Sequence, residues 1–116
     1  MEIRKASEIS GRPVDISEWN DNLKAFVKTF TFAEQLEFER LVREFNDASK
    51  PNEERLDAAF RATVMSLVDE NGAPLLNEND RGAWFAADYS PVVRIIKMGR
   101  KDPRAFAWEE SKENGI

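Results

Sequence analysis

Asp69, Asn71, Asn77 and Asp80 are the residues whose types and spacing come nearest to a chemical site. They fall at positions 1, 3, 9 and 12 of a twelve-residue run, where a calcium loop places oxygen ligands. The inside of the run does not fit that chemistry: Ala73 stands where an oxygen ligand belongs, and Pro74 where the loop needs its glycine turn. Stop and cap chemistry accounts for all four residues. Asn71-Gly72 ends one helix, because Gly tolerates the left-handed conformation after a last turn, and Pro74 prevents continuation. Asn77 caps the next helix with Asp80 in its first turn.

The acidic doublets Glu53-Glu54 and Glu109-Glu110 read as solvated helix starts or ends. A catalytic carboxylate pair needs two groups converging on one pocket, and nothing in the sequence points to that. The chain has no cysteine and no histidine. Disulfides, thiol nucleophiles, imidazole acid–base chemistry and zinc sites of the usual ligand types are thereby removed. The chain reads as a non-enzyme with no catalytic residue, no metal and no cofactor.

Two other sets of side chains suit contacts. Arg94, Lys97, Arg100, Lys101 and Arg104 form a basic run. A net charge of −5 over 116 residues argues against a nucleic-acid role, which needs a basic face to neutralise phosphates. Charge is also segregated: residues 31–90 hold thirteen acidic and six basic side chains, whereas residues 91–116 hold four and six. A subunit-contacting or solvated face is the better reading of the run. Among three tryptophans, Trp19, Trp84 and Trp108, the last lies in a terminal segment with Phe106 and little left to pack against. Trp108 is the best single candidate for a contact with another chain, set against packing within its own.

The elements that must position these residues follow from local signals. Val14 and Ile16 alternate with Asp15 and Ser17, Asn20-Asp21-Asn22 is a turn cluster, and residues 23–30 are apolar and β-prone, so residues 13–30 read as a hairpin. Thr31 and Glu34 fit a capping box, and a helix should run from there to about Asn46 with Phe38, Leu41, Val42 and Phe45 as its stripe. A second helix over residues 53–68 carries Leu56, Ala59, Phe60, Thr63, Val64 and Leu67, and pairs with the first as an antiparallel helix hairpin. A short third helix contains Trp84 and Phe85. Ser90-Pro91 starts a fourth, over residues 91–98, and Gly99 stops it. Its Val92, Val93, Ile95 and Ile96 are apolar nearly all round, so it is buried or meets a partner. Asp102-Pro103 repeats the start signal for a last piece holding Phe106 and Trp108. The reading is a mainly α fold of four to five short helices built on the helix hairpin, with a small N-terminal β-hairpin. Residues 1–12 form a flexible lead, 13–110 one domain, and 111–116 a flexible end. No long apolar run is present to span a membrane, and MEIRKASEIS lacks the apolar core of a signal peptide.

The order of these features resembles the tail assembly chaperones of long-tailed bacteriophages over roughly residues 14–98. The matching residues are Trp19, Thr31-Phe32-Ala33-Glu34, Ser66-Leu67-Val68-Asp69-Glu70-Asn71-Gly72, Leu75-Leu76 and Asn77-Glu78-Asn79-Asp80. The ordered set carries the resemblance, since no one motif is specific. The sequence departs from it after Asp80, where Gly82, Trp84 and Tyr89 replace a plainer helical run. The resemblance implies a non-catalytic protein that coats the tape measure protein, keeps it soluble in the host cytoplasm and is absent from the mature virion. It also implies a longer form made by programmed ribosomal frameshifting, whose extra domain recruits the tail tube protein; this chain is then the short form. Many copies on one long partner imply a homo-oligomer, ring or spiral, with head-to-tail contacts. The acidic middle and the basic run are the expected complementary surfaces, and Phe106 and Trp108 join the run as candidate contact residues. The alternative is a small helical adaptor or regulatory domain that dimerises and binds one folded protein.

Overall fold

Thr31 fixes where the helical part begins. Its hydroxyl accepts from the Glu34 N–H at 3.1 Å, and the Glu34 carboxylate accepts from the Thr31 N–H at 2.9 Å, a complete capping box. The computed structural model describes residues 1–101, and the helix that follows this cap, α1, spans Phe32–Asn46. A five-residue loop leads to α2, Asn52–Ser66. The Arg55 guanidinium donates to the Phe45 carbonyl, and Arg61 faces Glu37. Partners thus advance on one helix as they recede on the other, and the two helices form the expected antiparallel hairpin. Phe38, Leu41 and Val42 of α1 pack on Ala58 and Ala62 of α2.

Three short strands lie beside this hairpin: β1, Arg12–Val14, β2, Ala25–Val27, and β3, Leu67–Val68, in the order β1-β2-β3. Both pairings are antiparallel, with Pro13 opposite Phe26 and Val27 opposite Leu67. The N-terminal hairpin is therefore present, with short strands and a long connection. Ala25 and Val27 turn inward and Phe26 does not, as strand alternation requires. Gly11, just before β1, passes so close to β2 that a Cβ on it would sit 2.8 Å from the Val27 carbonyl. The segment before it, expected to be loose, holds a single 3₁₀ turn at Ala6–Glu8.

The third strand departs from the sequence reading. The second helix ends at Ser66, two residues early, and Leu67-Val68 extend to pair with β2. A strand edge with unmet backbone groups competes with the last helical turn and wins here. The role of Gly72 changes with it. Its φ of 84° is the left-handed conformation that was expected, but it serves the turn between Val68 and Pro74, which bridge each other, and caps no helix.

After this turn Leu75 and Leu76 pack against the sheet. Asn77 and Asp80 form a second capping box around the 3₁₀ turn Glu78–Asp80, which continues into α3, Arg81–Phe85. The last described helix, α4, spans Ser90–Gly99 with Pro91 in its first turn. It joins the two halves of the core. Ile95, fully buried, packs with Val14, Val27 and Leu67 of the sheet, while Ile96 packs with the α1–α2 cluster. The fold is mainly α with a small antiparallel sheet. Among the described residues no helix is long and apolar enough to cross a membrane. The expected last helical piece and the segment 111–116 lie outside the described residues.

Candidate functional site

Phe60 and Trp84 set the position of α3 against α2. Their rings meet edge to face at 5.3 Å, and Trp84 meets Phe85 the same way at 5.1 Å. Arg81 holds the same junction by charge. Its guanidinium lies 4.6 Å from the Phe60 ring centroid, pairs with Asp57 of α2 at 2.7 Å, and also binds Glu78. On the far side, the Trp19 indole N–H donates to the Asp88 carbonyl at 2.6 Å, and so ties the β1–β2 connection to the start of α4.

These fixings leave an apolar groove of about 640 Å³ between α2, α3 and the first turns of α4. Leu56, Trp84, Phe85, Tyr89 and Val93 line it, with Phe45 at the end of α1, and Glu53, Arg81 and Asp88 also border it. Several of these large side chains remain open to water: Tyr89 is 74% exposed, and Leu56 and Phe85 are each 44% exposed. A contiguous open apolar surface rimmed by polar groups marks a contact site for a protein, a membrane or a ligand. Trp84 adds a specific chemical demand, since its indole N–H is buried with no acceptor among the described residues. Volume and lining suit a few bulky apolar side chains, as an amphipathic helix or a short aromatic segment presents them.

The residues singled out in the basic run do not form one bare cationic face. Arg94 is bidentate on Glu18, 2.6 Å at each contact, and donates to the Asp15 carbonyl. That hydrogen-bonded pair lowers the Glu18 carboxyl from its ordinary value and raises the guanidinium. Arg100 donates to Glu39 at 3.2 Å, and the Lys101 N–H binds the same carboxylate. Lys97 and Lys101 are exposed, with no side-chain partner among the described residues. Arg104, Phe106 and Trp108 lie outside the described residues. Of the run, then, two arginines hold α4 to the rest of the fold and two lysines stay free.

Glu39 has a further part in fixing α4. It accepts from Gln35, whose amide also donates to the Gly99 carbonyl at 2.9 Å. Gly99 itself sits against Phe38, where a Cβ would lie 2.5 Å from the ring. The helix end is thus held by a buried polar knot and a steric fit together.

The calcium-like spacing resolves into turn chemistry. Asp69 Oδ1 accepts from the N–H groups of Asn71 and Ala73, Asn77 Oδ1 from that of Asn79, and Asp80 Oδ2 from that of Asn77. A second, more polar depression lies between the Ala6–Glu8 turn, β2 and the turn at Gly72. Its Glu34 carboxyl is raised by burial, but the Lys28 ammonium at 2.7 Å and the Thr31 N–H outweigh that and leave it lowered overall. Both carboxylates that line this depression with known partners, Glu34 and Asp69, are engaged in caps and turns.

By its spacing Leu56 belongs to the inward stripe of α2, and nothing in the sequence gives Trp84 and Phe85 a surface shared with Tyr89 and Val93. The one signal for the groove was the apolar circumference of α4. Compared with known proteins, the chain matches no family model, no curated protein and no solved structure.

Proposed function

We propose that the protein is a tail assembly chaperone of a long-tailed bacteriophage, which binds an apolar helical stretch of the tape measure protein in the groove between α2, α3 and α4. The observation that carries this reading is the groove itself, an open apolar surface on a scaffold whose polar groups are otherwise largely taken up. A tape measure protein is long, helical and prone to aggregate until the tail tube encloses it. A small acidic protein that covers one apolar face per copy keeps such a partner in solution. The ordered motifs from Trp19 to Asp80 support the same reading, and the helix starts among them depend on capping boxes at Thr31 and Asn77.

The role is non-catalytic and belongs to the host cytoplasm before tail assembly, with a frameshifted longer form recruiting the tail tube protein. Copies meet head to tail along the partner. Because Arg94 and Arg100 are engaged within the chain, the free cations Lys97 and Lys101 are the better candidates for the basic side of that contact.

Co-expression with the tape measure protein of the same phage tests the reading. The chain should keep that protein soluble and copurify with it, whereas the Tyr89→Glu and Val93→Glu chain should do neither. A tape measure protein that stays insoluble beside the wild-type chain overturns the proposal.

A further inference from the structure

Asn71-Gly72, in the turn that follows β3, is a pair whose own atoms react with each other. The Gly72 nitrogen attacks the carbonyl carbon of the Asn71 side chain, and glycine places no Cβ beside the attacking atom. The new N–C bond closes a five-membered succinimide ring. The Gly72 amide proton passes to the leaving side-chain nitrogen, which departs as ammonia. Water then adds to either ring carbonyl and leaves aspartate or isoaspartate at position 71. Both residues are exposed, and the Asn71 side chain has no hydrogen-bond partner among the described residues. The space where a Gly72 side chain would stand is open.

The geometry of the closed turn opposes this attack. The Gly72 N–H donates to the Asp69 carbonyl at 3.0 Å, the Asp69 N–H donates to the Ala73 carbonyl at 2.8 Å, and Gly72 has a φ of 84°. That pattern is a three-residue hairpin loop, a type I turn closed by a left-handed residue. Asn71 then holds the third turn position, where ψ is about 0°. At that angle the Gly72 nitrogen eclipses the Asn71 nitrogen about the Cα–C bond, whereas the ring needs it eclipsed with Cβ. Reaction therefore requires the turn to open. Asp69 keeps it shut, since its Oδ1 accepts from the Asn71 N–H at 2.8 Å and from the Ala73 N–H at 2.9 Å.

We propose that Asn71 is a deamidation site held latent by Asp69, and that opening of this turn sets its rate. The product bears on the groove. Isoaspartate adds an extra backbone carbon to the loop, which spoils the pairing of Val68 with Pro74 and the Leu75 N–H bond to the Leu67 carbonyl. Those contacts seat Leu75 and Leu76 on the sheet and fix where the chain leaves for α3, one wall of the groove. The inference does not depend on which partner the groove serves.

Peptide mapping by mass spectrometry of the 116-residue chain, incubated in mildly alkaline buffer, reads the conversion in the tryptic peptide Ala62–Arg81. Conversion at Asn71 should be slow in the folded wild type and about tenfold faster in folded Asp69→Ala, which loses both side-chain hydrogen bonds that hold the turn. Asp69→Asn keeps an acceptor oxygen and should stay near the wild type. Ile95→Ala weakens the core away from the turn, and while circular dichroism shows it folded it should leave the Asn71 rate unchanged. Wild type unfolded in urea should convert faster than the folded chain. A wild-type rate in Asp69→Ala overturns the proposal, because Asp69 then holds nothing back. Equal acceleration by Ile95→Ala also overturns it, because global unfolding then sets the rate. Equal rates in folded and unfolded wild type overturn it whether or not Asp69→Ala folds.

Discussion

The two sides of α4 are made from the same kinds of residue and end in opposite states. Val92 and Ile95 are buried, Ile95 completely, whereas Val93 and, just before the helix, Tyr89 are exposed at 38% and 74%. On the closed side the helix meets the sheet and the α1–α2 hairpin at once. On the open side it faces the edges of α2 and α3, which Arg81 and Trp84 join to each other. Apolar content alone does not define a core. What closes one side is a partner element already present in the fold, and what opens the other is the lack of one among the described residues.

Substitutions on α4 test that division, and the largest effects belong to the closed side. Ile95→Ala should destabilise the chain by about 2–5 kcal/mol in denaturant unfolding, since it removes a fully buried side chain at the joint of both clusters. A cost below about 1 kcal/mol would mean that Ile95 does not join the two clusters as its burial implies. Gly99→Ala should cost about 1–3 kcal/mol, because the new methyl group collides with the buried Phe38 ring. Relief by Phe38→Leu in the double variant would identify that collision as the cause.

Hydrogen-bonded carboxylates around α4 and at the start of α1 give a pH dependence of known sign. The Arg94 hydrogen bonds hold Glu18 below its ordinary pKa, the Ser90 hydrogen bonds hold Asp88 low, and Glu34 is low on balance at the start of α1. Carboxyls that bind protons less readily when folded stabilise the fold above their unfolded pKa, and the contribution is lost as pH falls through the depressed folded values. The thermal midpoint should therefore be level above pH ~5 and fall below pH ~4. In Arg94→Gln that fall should be shallower, because Glu18 then keeps a more ordinary pKa. On the open side, Tyr89→Ser and Val93→Ser should each change stability by no more than about 0.5 kcal/mol, the smallest effect of the set.

The helix starts were legible because their signals are local. Thr31 with Glu34 and Asn77 with Asp80 each act within one turn, and each begins a helix or helical turn as read; Pro91 does mark the start of α4, but Ser90 is already helical there and the cap position falls on Tyr89, with no side-chain cap bond. The strand at Leu67-Val68 was not legible. Those residues continue the apolar spacing of α2, and the competing partner, Phe26-Val27, is some forty positions away in sequence. The groove was half legible. An apolar circumference on α4 announced a buried or partner-facing helix, but no local pattern says where α3 comes to rest, so Leu56 read as inward. The basic run was misleading for a related reason, since Glu18 and Glu39, the groups that engage Arg94 and Arg100, are distant in sequence. The calcium-like spacing dissolved at short range, in hydrogen bonds spanning no more than four residues.

The open side of α4 is proposed to serve binding and to contribute little to stability. Titration calorimetry of a soluble helical tape measure fragment against wild type and Val93→Asp, with thermal midpoints taken on the same samples, tests it most directly. Val93→Asp should abolish measurable binding while its thermal midpoint stays with that of the wild type. Unchanged binding by a folded Val93→Asp chain would contradict it.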